Sequence, residues 1–425
     1  MAEPRKVAII GGSRIPFARS FTNYMGVSNQ DLMTAALKGL VDKYNLQGKE
    51  LGDVALGTLI KPPQEWNFAR ECSLGSGLSP ATPAFDVVQA CGTGLEAAIV
   101  IANKIALGQI DVGIAGGVDS NSDLPITFPK KFAQRLLKLS RSRSFGQTLS
   151  TALSGFSFSE LKPQAPGVEE PRTGKSMGQH CELMAQEWNI SREDQDELAY
   201  TSHQRAAKAY ERGFYDDMVV PFGGLEKDNN LRPDTTLEKM AKLKPAFERS
   251  EKGTLTAANS TALTDGASAV LMASEEYAKA NNLPVLAYMT FMQTAAVDFV
   301  GGDGLLMAPA WAVPKLLDQA GISLQDFDLY EIHEAFAAQV LCTLKAWESD
   351  EFCKTRLGRD KALGSIDREK LNVNGGSVAL GHPFAATGGR IVAGLAKALN
   401  ERGGGRGLIS ICTGGGMGVT AILEK

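Results

Sequence analysis

One order of elements occurs twice in this chain, and that constrains the fold more than any single motif. Lys6-Val-Ala-Ile-Ile-Gly and Pro284-Val-Leu-Ala-Tyr-Met both read as buried strands, and each leads to a helix pattern. The helices are Met33-Thr-Ala-Ala-Leu-Lys-Gly-Leu-Val in the first half and Ala312-Val-Pro-Lys-Leu-Leu-Asp-Gln-Ala in the second. Leu51-Gly-Asp-Val-Ala-Leu-Gly then corresponds to Phe327-Asp-Leu-Tyr-Glu-Ile-His, and Phe85-Asp-Val-Val-Gln-Ala-Cys to Leu371-Asn-Val-Asn-Gly-Gly. The Ala-rich helix from Gly94 to Leu107 matches Thr387 to Leu399, and the strand at Val112 matches that at Leu408. The closing strand Gly418-Val-Thr-Ala-Ile-Leu finds its counterpart only at Gly266-Ala-Ser-Ala-Val-Leu. Residues 119–263 therefore read as an insertion. The first half covers 1–118 plus 264–276, and the second covers 277–425. A mixed sheet with helices on both faces suits each repeat, and the alternative is two unrelated α/β domains.

A chain of 425 residues exceeds one hydrophobic core, in keeping with two halves. The net charge of −4 gives no global footprint for nucleic acid. The six cysteines lie far apart, with no CxxC or zinc-like spacing, so neither a disulfide framework nor a metal site is expected. No apolar leader precedes the first strand and no run is long enough to span a membrane, so the expected compartment is a reducing cytoplasm. Ile9-Ile10-Gly11-Gly12-Ser13 lacks the G-x-G-x-x-G of a dinucleotide turn, and no Gly-Lys-Ser/Thr follows the C-terminal glycines, so no nicotinamide or nucleotide cofactor is expected. Within the insertion, Lys130, Lys131, Arg135, Lys138, Arg141 and Arg143 interleave with Phe128, Phe132, Leu136, Leu137 and Leu139. This stretch, 128–143, is a candidate contact for an anionic membrane or a partner, or else a helix packed on the body.

Three glycine-rich turns carry the chemistry. Val-Val-Gln-Ala-Cys91-Gly-Thr-Gly places a cysteine where a strand gives way to a helix, at the end that favours a thiolate. Gly-His382-Pro offers a fixed base, one of only four histidines in the chain. Cys412-Thr-Gly-Gly-Gly-Met-Gly adds a second sulfur and a run of free N–H groups. His333, in Glu-Ile-His-Glu-Ala-Phe, is a candidate donor to an oxyanion site or else a strand-end or capping residue, with Glu334 placed to orient a neighbour or to serve as a first-turn helix acid. One nucleophile, one base and one acid/base thiol point to sulfur-based acyl transfer.

Together these segments resemble the thiolases, which cleave or form 3-oxoacyl-coenzyme A. The resemblance spans essentially the whole chain. Val-Val-Gln-Ala-Cys91-Gly-Thr-Gly looks like the nucleophile segment, and Asn374-Gly-Gly…Gly381-His382-Pro and Cys412-x-Gly-Gly-Gly look like the two C-terminal motifs. His333-Glu-Ala-Phe336 is similar to a segment that reads Asn-Glu-Ala-Phe in many members. The histidine there resembles the β subunits of fatty-acid-oxidation complexes. Thr256-Ala-Ala-Asn259-Ser260-Thr261 and Met177-Gly resemble coenzyme A pocket walls, with Phe336 beside them.

The resemblance implies a duplicated fold, an αβαβα five-layer sandwich with an inserted loop domain, assembled as a homodimer or homotetramer. It implies a 3-ketoacyl-CoA thiolase working through a Cys91 acyl-enzyme in fatty acid β-oxidation. His382 would activate Cys91 and Cys412 would serve carbon as acid and base. One oxyanion site would use His382 and a water held by His333, and the other the N–H groups of Cys91 and Gly414. Coenzyme A and 3-oxoacyl-CoA would be substrates, with no cofactor and no metal, and a hydratase/dehydrogenase subunit is a candidate partner. The rivals are an acetoacetyl-CoA-specific acetyltransferase, a ketoacyl synthase and a non-catalytic acyl-CoA-binding subunit. The second cysteine speaks against the synthase, and the intact site residues against the carrier.

Overall fold

Val7–Arg14 is buried along its whole length, and its alternating side chains explain the layering. In the computed structural model, which describes residues 3–425, Ile9 packs into one core while Ala8 and Ile10 pack into another. The main strands are β1 (Val7–Arg14), β2 (Asp53–Gly57), β3 (Ala84–Asp86), β4 (Val112–Asp119), β5 (Thr264–Ser274), β6 (Ala287–Ala296), β7 (Leu329–Ile332), β8 (Arg406–Thr413) and β9 (Met417–Glu424). They lie in the order β7-β8-β9-β6-β1-β5-β4-β2-β3, and the short strand Ala18–Arg19 pairs with β5 off this path.

The duplication is visible in the pairing. In the first half β2 runs parallel to β3 and β4, β4 pairs antiparallel with β5, and β5 with β1. In the second half β7 runs parallel to β8, β8 pairs antiparallel with β9, and β9 with β6. The halves join where Ala8 and Ile9 meet Tyr288 and Ala287. The strand expected at Leu371 shrinks to a single parallel bridge with Tyr330. The reason is Asn372, whose φ of 45° turns the chain and whose carboxamide bonds both the N–H and the carbonyl of Ile332. A side chain there replaces a rung of the sheet.

The helices that matter are α1 (Asn29–Lys43), α2 (Phe68–Gly75), α3 (Thr93–Ala106), α4 (Lys130–Leu139), α5 (Phe145–Leu153), α6 (Met177–Glu187), α7 (Arg192–Glu211), α8 (Pro309–Ala320), α9 (Ala337–Glu348) and α10 (Ala386–Arg402). Leu32, Met33 and Leu37 of α1 and Phe68 of α2 cover the outer face of the first sheet. Leu95 and Ile101 of α3, with Ile391 and Leu395 of α10, fill the layer between the sheets. Leu316 of α8 and Leu344 and Trp347 of α9 cover the outer face of the second. Five layers result.

The two central helices approach unusually closely. A Cβ on Gly388 would lie 2.1 Å from the Leu95 nitrogen, and one on Gly94 would lie 2.4 Å from the Ala385 carbonyl oxygen. Only glycine permits this crossing. Because the turns bearing Cys91 and His382 sit just ahead of these helices, the same contact brings both residues to the seam.

The chain between β4 and β5 behaves in two ways. Cys181 and Met184 of α6 share a core with Ala338 and Leu341 of α9. By contrast, α4 and α5 bury no residue at all.

Candidate active site

Cys91 sits in a 3₁₀ turn, Ala90–Gly92, immediately before α3 rather than on the helix itself. Ala90 is held at φ 45°, a left-handed conformation that costs about 1–3 kcal/mol for a residue with a Cβ. Thr93 pins it: its hydroxyl donates to the Ala90 carbonyl at 2.7 Å and accepts from the Gln89 N–H at 2.8 Å. A Cβ on Gly92 would come within 2.8 Å of Thr413 and Val419, so the nucleophile turn presses against the second half.

His333 continues from β7, its N–H donating to the Ser410 carbonyl at 2.8 Å. Its Nδ1 lies 2.8 Å from the Ser377 hydroxyl, which accepts at 2.8 Å from Arg390 Nη2. Arginine can only donate, so the serine proton is free for Nδ1, and in that tautomer Nε2 is a donor. His382 follows Gly381, itself at φ 104°. Its N–H donates to Thr264 Oγ1 at 2.8 Å, and its Nδ1 lies 2.6 Å from Thr387 Oγ1. The two imidazole centroids are 4.1 Å apart. Both Nδ1 atoms are thus engaged, whereas both Nε2 atoms are buried without a partner. Cys91 Sγ and a ring nitrogen of each histidine lie within 4.8 Å of one another.

Burial sets the protonation states. It lowers His382 to about 3, with Arg390 adding repulsion, and it takes His333 well below its usual range, with His382 and Arg390 contributing. Both rings are neutral near pH 7. Cys91 keeps one partly exposed edge, yet desolvation raises its thiol to about 11. The Gly414 N–H and its own N–H, both directed at the sulfur, offset this only in part. The expectation of a dipole-lowered thiolate is therefore reversed, because the protein shell around the sulfur outweighs the helix terminus. Cys412 is 1% exposed, and burial followed by the nearness of Cys91 raises it well above an ordinary thiol.

The coenzyme-pocket candidates divide. Met177 opens α6, and its Cε would touch a Cβ on Gly414 at 3.7 Å, so it borders the Cys412 loop. Ser260 pairs with Phe336 in an isolated bridge, and its hydroxyl is buried and unpartnered. Phe336 packs edge-on against Phe247. Thr261 donates through both its N–H and its hydroxyl to the Ala335 carbonyl, each at 3.1 Å. Asn259 is different: it is fully buried, its Nδ2 donates to Asp196 and to the Thr254 carbonyl, and its Oδ1 accepts from the Thr256 N–H, so both donors are spent within the protein.

Two contributors, Glu170 and Asp119, carry no sequence signal. Glu170 accepts from the Gly415 N–H at 2.7 Å and so fixes the Cys412 loop from the inserted segment. Asp119 ties the halves together, accepting from Ala385 N at 2.9 Å and from Leu59 and Ile60 N, each at 2.9 Å. Glu334 does orient neighbours: it accepts from Ser202, Asn372 and the Val378 N–H. Proximity across the fold defines Glu170 and Asp119, and short-range spacing could not, whereas Glu334 is legible beside His333.

A partly open thiol, a neutral imidazole, a second buried thiol and two converging N–H groups are the groups that acyl transfer through a cysteine thioester requires. Comparison with known proteins gives the family. Residues 7–276 match the N-terminal domain of the thiolases and residues 283–425 match the C-terminal domain, so the chain belongs to the thiolase family and is an acyltransferase. It is 44% identical to the 3-ketoacyl-CoA thiolase of Photorhabdus laumondii, over 99% of this chain and 97% of that one. The same figures hold for a 3-ketoacyl-CoA thiolase of Yersinia pestis. Human mitochondrial 3-ketoacyl-CoA thiolase superposes with a TM-score of 0.81 at 28% identity, covering 99% of each chain. The Bacillus anthracis acetyl-CoA acetyltransferase gives 0.82 at 31% identity, covering 100% of each.

Proposed function

We propose that this chain is a 3-ketoacyl-CoA thiolase, cleaving 3-oxoacyl-CoA with coenzyme A to acetyl-CoA and a shortened acyl-CoA in fatty acid β-oxidation. The observation that carries this reading is the meeting of Cys91 Sγ with His333 and His382 within 4.8 Å, beside the buried thiol of Cys412. The Cys91 proton passes to His382 Nε2 as the sulfur attacks the 3-oxo carbon. The N–H groups of Cys91 and Gly414 receive the charge on that oxygen. The C2–C3 bond then breaks, its electron pair stays with the acetyl-CoA carbon, and Cys412 protonates that carbon. His382 and a water on His333 hold the enolate oxygen meanwhile. In the second half-reaction the Cys412 thiolate takes the proton of incoming coenzyme A, whose sulfur displaces Cys91 from the acyl group. Cys91 recovers its proton from His382. Side chains and substrate thioesters supply every group needed, so the reading calls for no resident cofactor.

Two measurements test it. Brief exposure to acetyl-CoA is expected to add one acetyl mass to Cys91. Thiolysis is expected across several 3-oxoacyl-CoA chain lengths. Turnover confined to acetoacetyl-CoA would replace the reading with an acetyltransferase, and no turnover at any length would refute it.

The proposal extends to partners. The short edge strand β3 leaves its outer side unpaired, with Val88 and Trp66 exposed nearby, which favours pairing with a second copy in a homodimer or homotetramer. The α4–α5 arm exposes Phe128, Leu136, Leu137, Phe145, Leu149 and Phe158 among its cations, which suits a hydratase/dehydrogenase subunit or an anionic membrane. No helix among the described residues is long and apolar enough to cross a membrane. Six unpaired cysteines fit the reducing cytoplasm proposed as its location.

A further inference from the structure

The groups that meet at the seam suit a second kind of ligand. Cys91 Sγ and one nitrogen from each of His333 and His382 lie within 4.8 Å of one another. A tetrahedral zinc ion, with bonds of about 2.3 Å to sulfur and 2.0–2.1 Å to nitrogen, needs such donors roughly 3.3–3.7 Å apart. Both Nε2 atoms are buried with no hydrogen-bond partner, which is the condition of an open ligand position. Their Nδ1 atoms rest on the hydroxyls of Ser377 and Thr387, so the rings are already oriented as metal-bound histidines are. Arg390 in turn holds Ser377.

We propose that Cys91, His333 and His382 form a reversible inhibitory site for a thiophilic divalent cation of the zinc class. The ion takes three protein ligands and keeps a fourth position for water or an incoming thiol. On binding, the Cys91 thiol proton leaves to the buffer and the metal–sulfur bond takes its place. His382 already offers its Nε2 lone pair as the base of the proposed reaction; at His333 the ring proton moves from Nε2 to Nδ1 by exchange with water and the Ser377 hydroxyl turns to accept it, for which Ser377 Oγ has room beside Arg390. The ion occupies nucleophile and base together, so it blocks acylation. His333 is the deciding ligand: an asparagine there would leave only two strong donors.

Cobalt(II) titration of the reduced enzyme in thiol-free buffer tests this by absorption. One equivalent is expected to give a sulfur-to-cobalt charge-transfer band with the visible bands of a four-coordinate ion, and Zn²⁺ should displace it. Cys91→Ala should abolish the charge-transfer band, and Cys412→Ala should leave it intact. His333→Asn should weaken binding by more than tenfold, and Thr387→Ala by on the order of tenfold. His382→Asn provides a second test of the ligand set if His333→Asn unfolds. Thermal melts of each variant separate lost ligands from lost structure. Absence of the band, its survival in Cys91→Ala, or unchanged affinity in folded His333→Asn and His382→Asn would overturn the proposal. The readout is spectroscopic, so it stands or falls independently of whether Cys91 acylates.

Discussion

At rest the Cys91 sulfur carries its proton, and its neighbouring imidazoles are neutral. A preformed thiolate–imidazolium pair would require the opposite shifts, a lowered thiol and a raised histidine. In the proposed reaction the proton therefore moves as the sulfur attacks, when the Cys91 and Gly414 N–H groups can meet the new oxyanion. Alkylation of Cys91 by iodoacetamide in the free enzyme is thus expected to be slow at neutral pH. Its rate should rise about tenfold per pH unit toward the alkaline range, since only the thiolate reacts. A rate plateau extending below pH 7 would show a standing ion pair instead. His333 contributes differently. It presents Nε2 to the site from a ring fixed by Ser377 and Arg390. His333→Ala should lower kcat by on the order of a hundredfold, as lost oxyanion donors do. His333→Asn should retain much more activity, because an amide can hold the same water. Equal loss in the two variants would assign proton transfer to the ring.

At the scale of elements, the α3–α10 crossing sets the distance between Cys91 and His382. Gly388→Ala would add about 1 kcal/mol of helix propensity, yet its Cβ would fall 2.1 Å from a backbone nitrogen of α3. Backbone cannot yield as a flexible side chain does, so the overpacking cost of about 1–3 kcal/mol or more prevails. Denaturant unfolding should show net destabilisation, with activity lost alongside. Gly394, in the same helix, would have no atom within 4 Å of its added Cβ. Gly394→Ala should therefore be neutral or stabilising by about 0.5–1 kcal/mol. Equal effects at the two positions would mean that the crossing is not sterically limited.

At the scale of the molecule, the α4–α5 arm is the part least absorbed into the body. A helix packed on the body was one reading of this basic stretch, and α4 buries none of its residues. Arg135 is not a free charge: it binds Glu160 and the carbonyls of Thr151 and Ser154, which holds the arm together. The useful variant therefore spares it. Lys130, Lys131, Lys138 and Arg141 changed to Gln should leave the melting temperature nearly unchanged, since exposed charges add little stability. If the arm meets an anionic membrane, sedimentation with anionic liposomes should fall, and salt should weaken the unmodified protein in parallel. Unchanged liposome binding and unchanged partner capture would make the arm an ordinary surface.

The sequence alone determined the repeat, because strands and helices write their periodicity locally and a duplicated order survives without any distant contact. It marked Cys91, His382, Cys412 and His333 as candidates for the same reason: each lies at a strand end or in a short turn whose signal is contiguous with it. Tertiary structure decided what those residues are. The thiol of Cys91 is raised rather than lowered because desolvation comes from both halves at once, and no local pattern encodes that. Asn259 is occupied rather than available, since its partners Asp196 and Thr254 belong to a helix and a loop that only packing brings to it. Glu170 reaches Gly415 across 245 positions, and Asp119 reaches Ala385 across 266. The site is built where the two halves meet, so its electrostatics exist only once they have folded together.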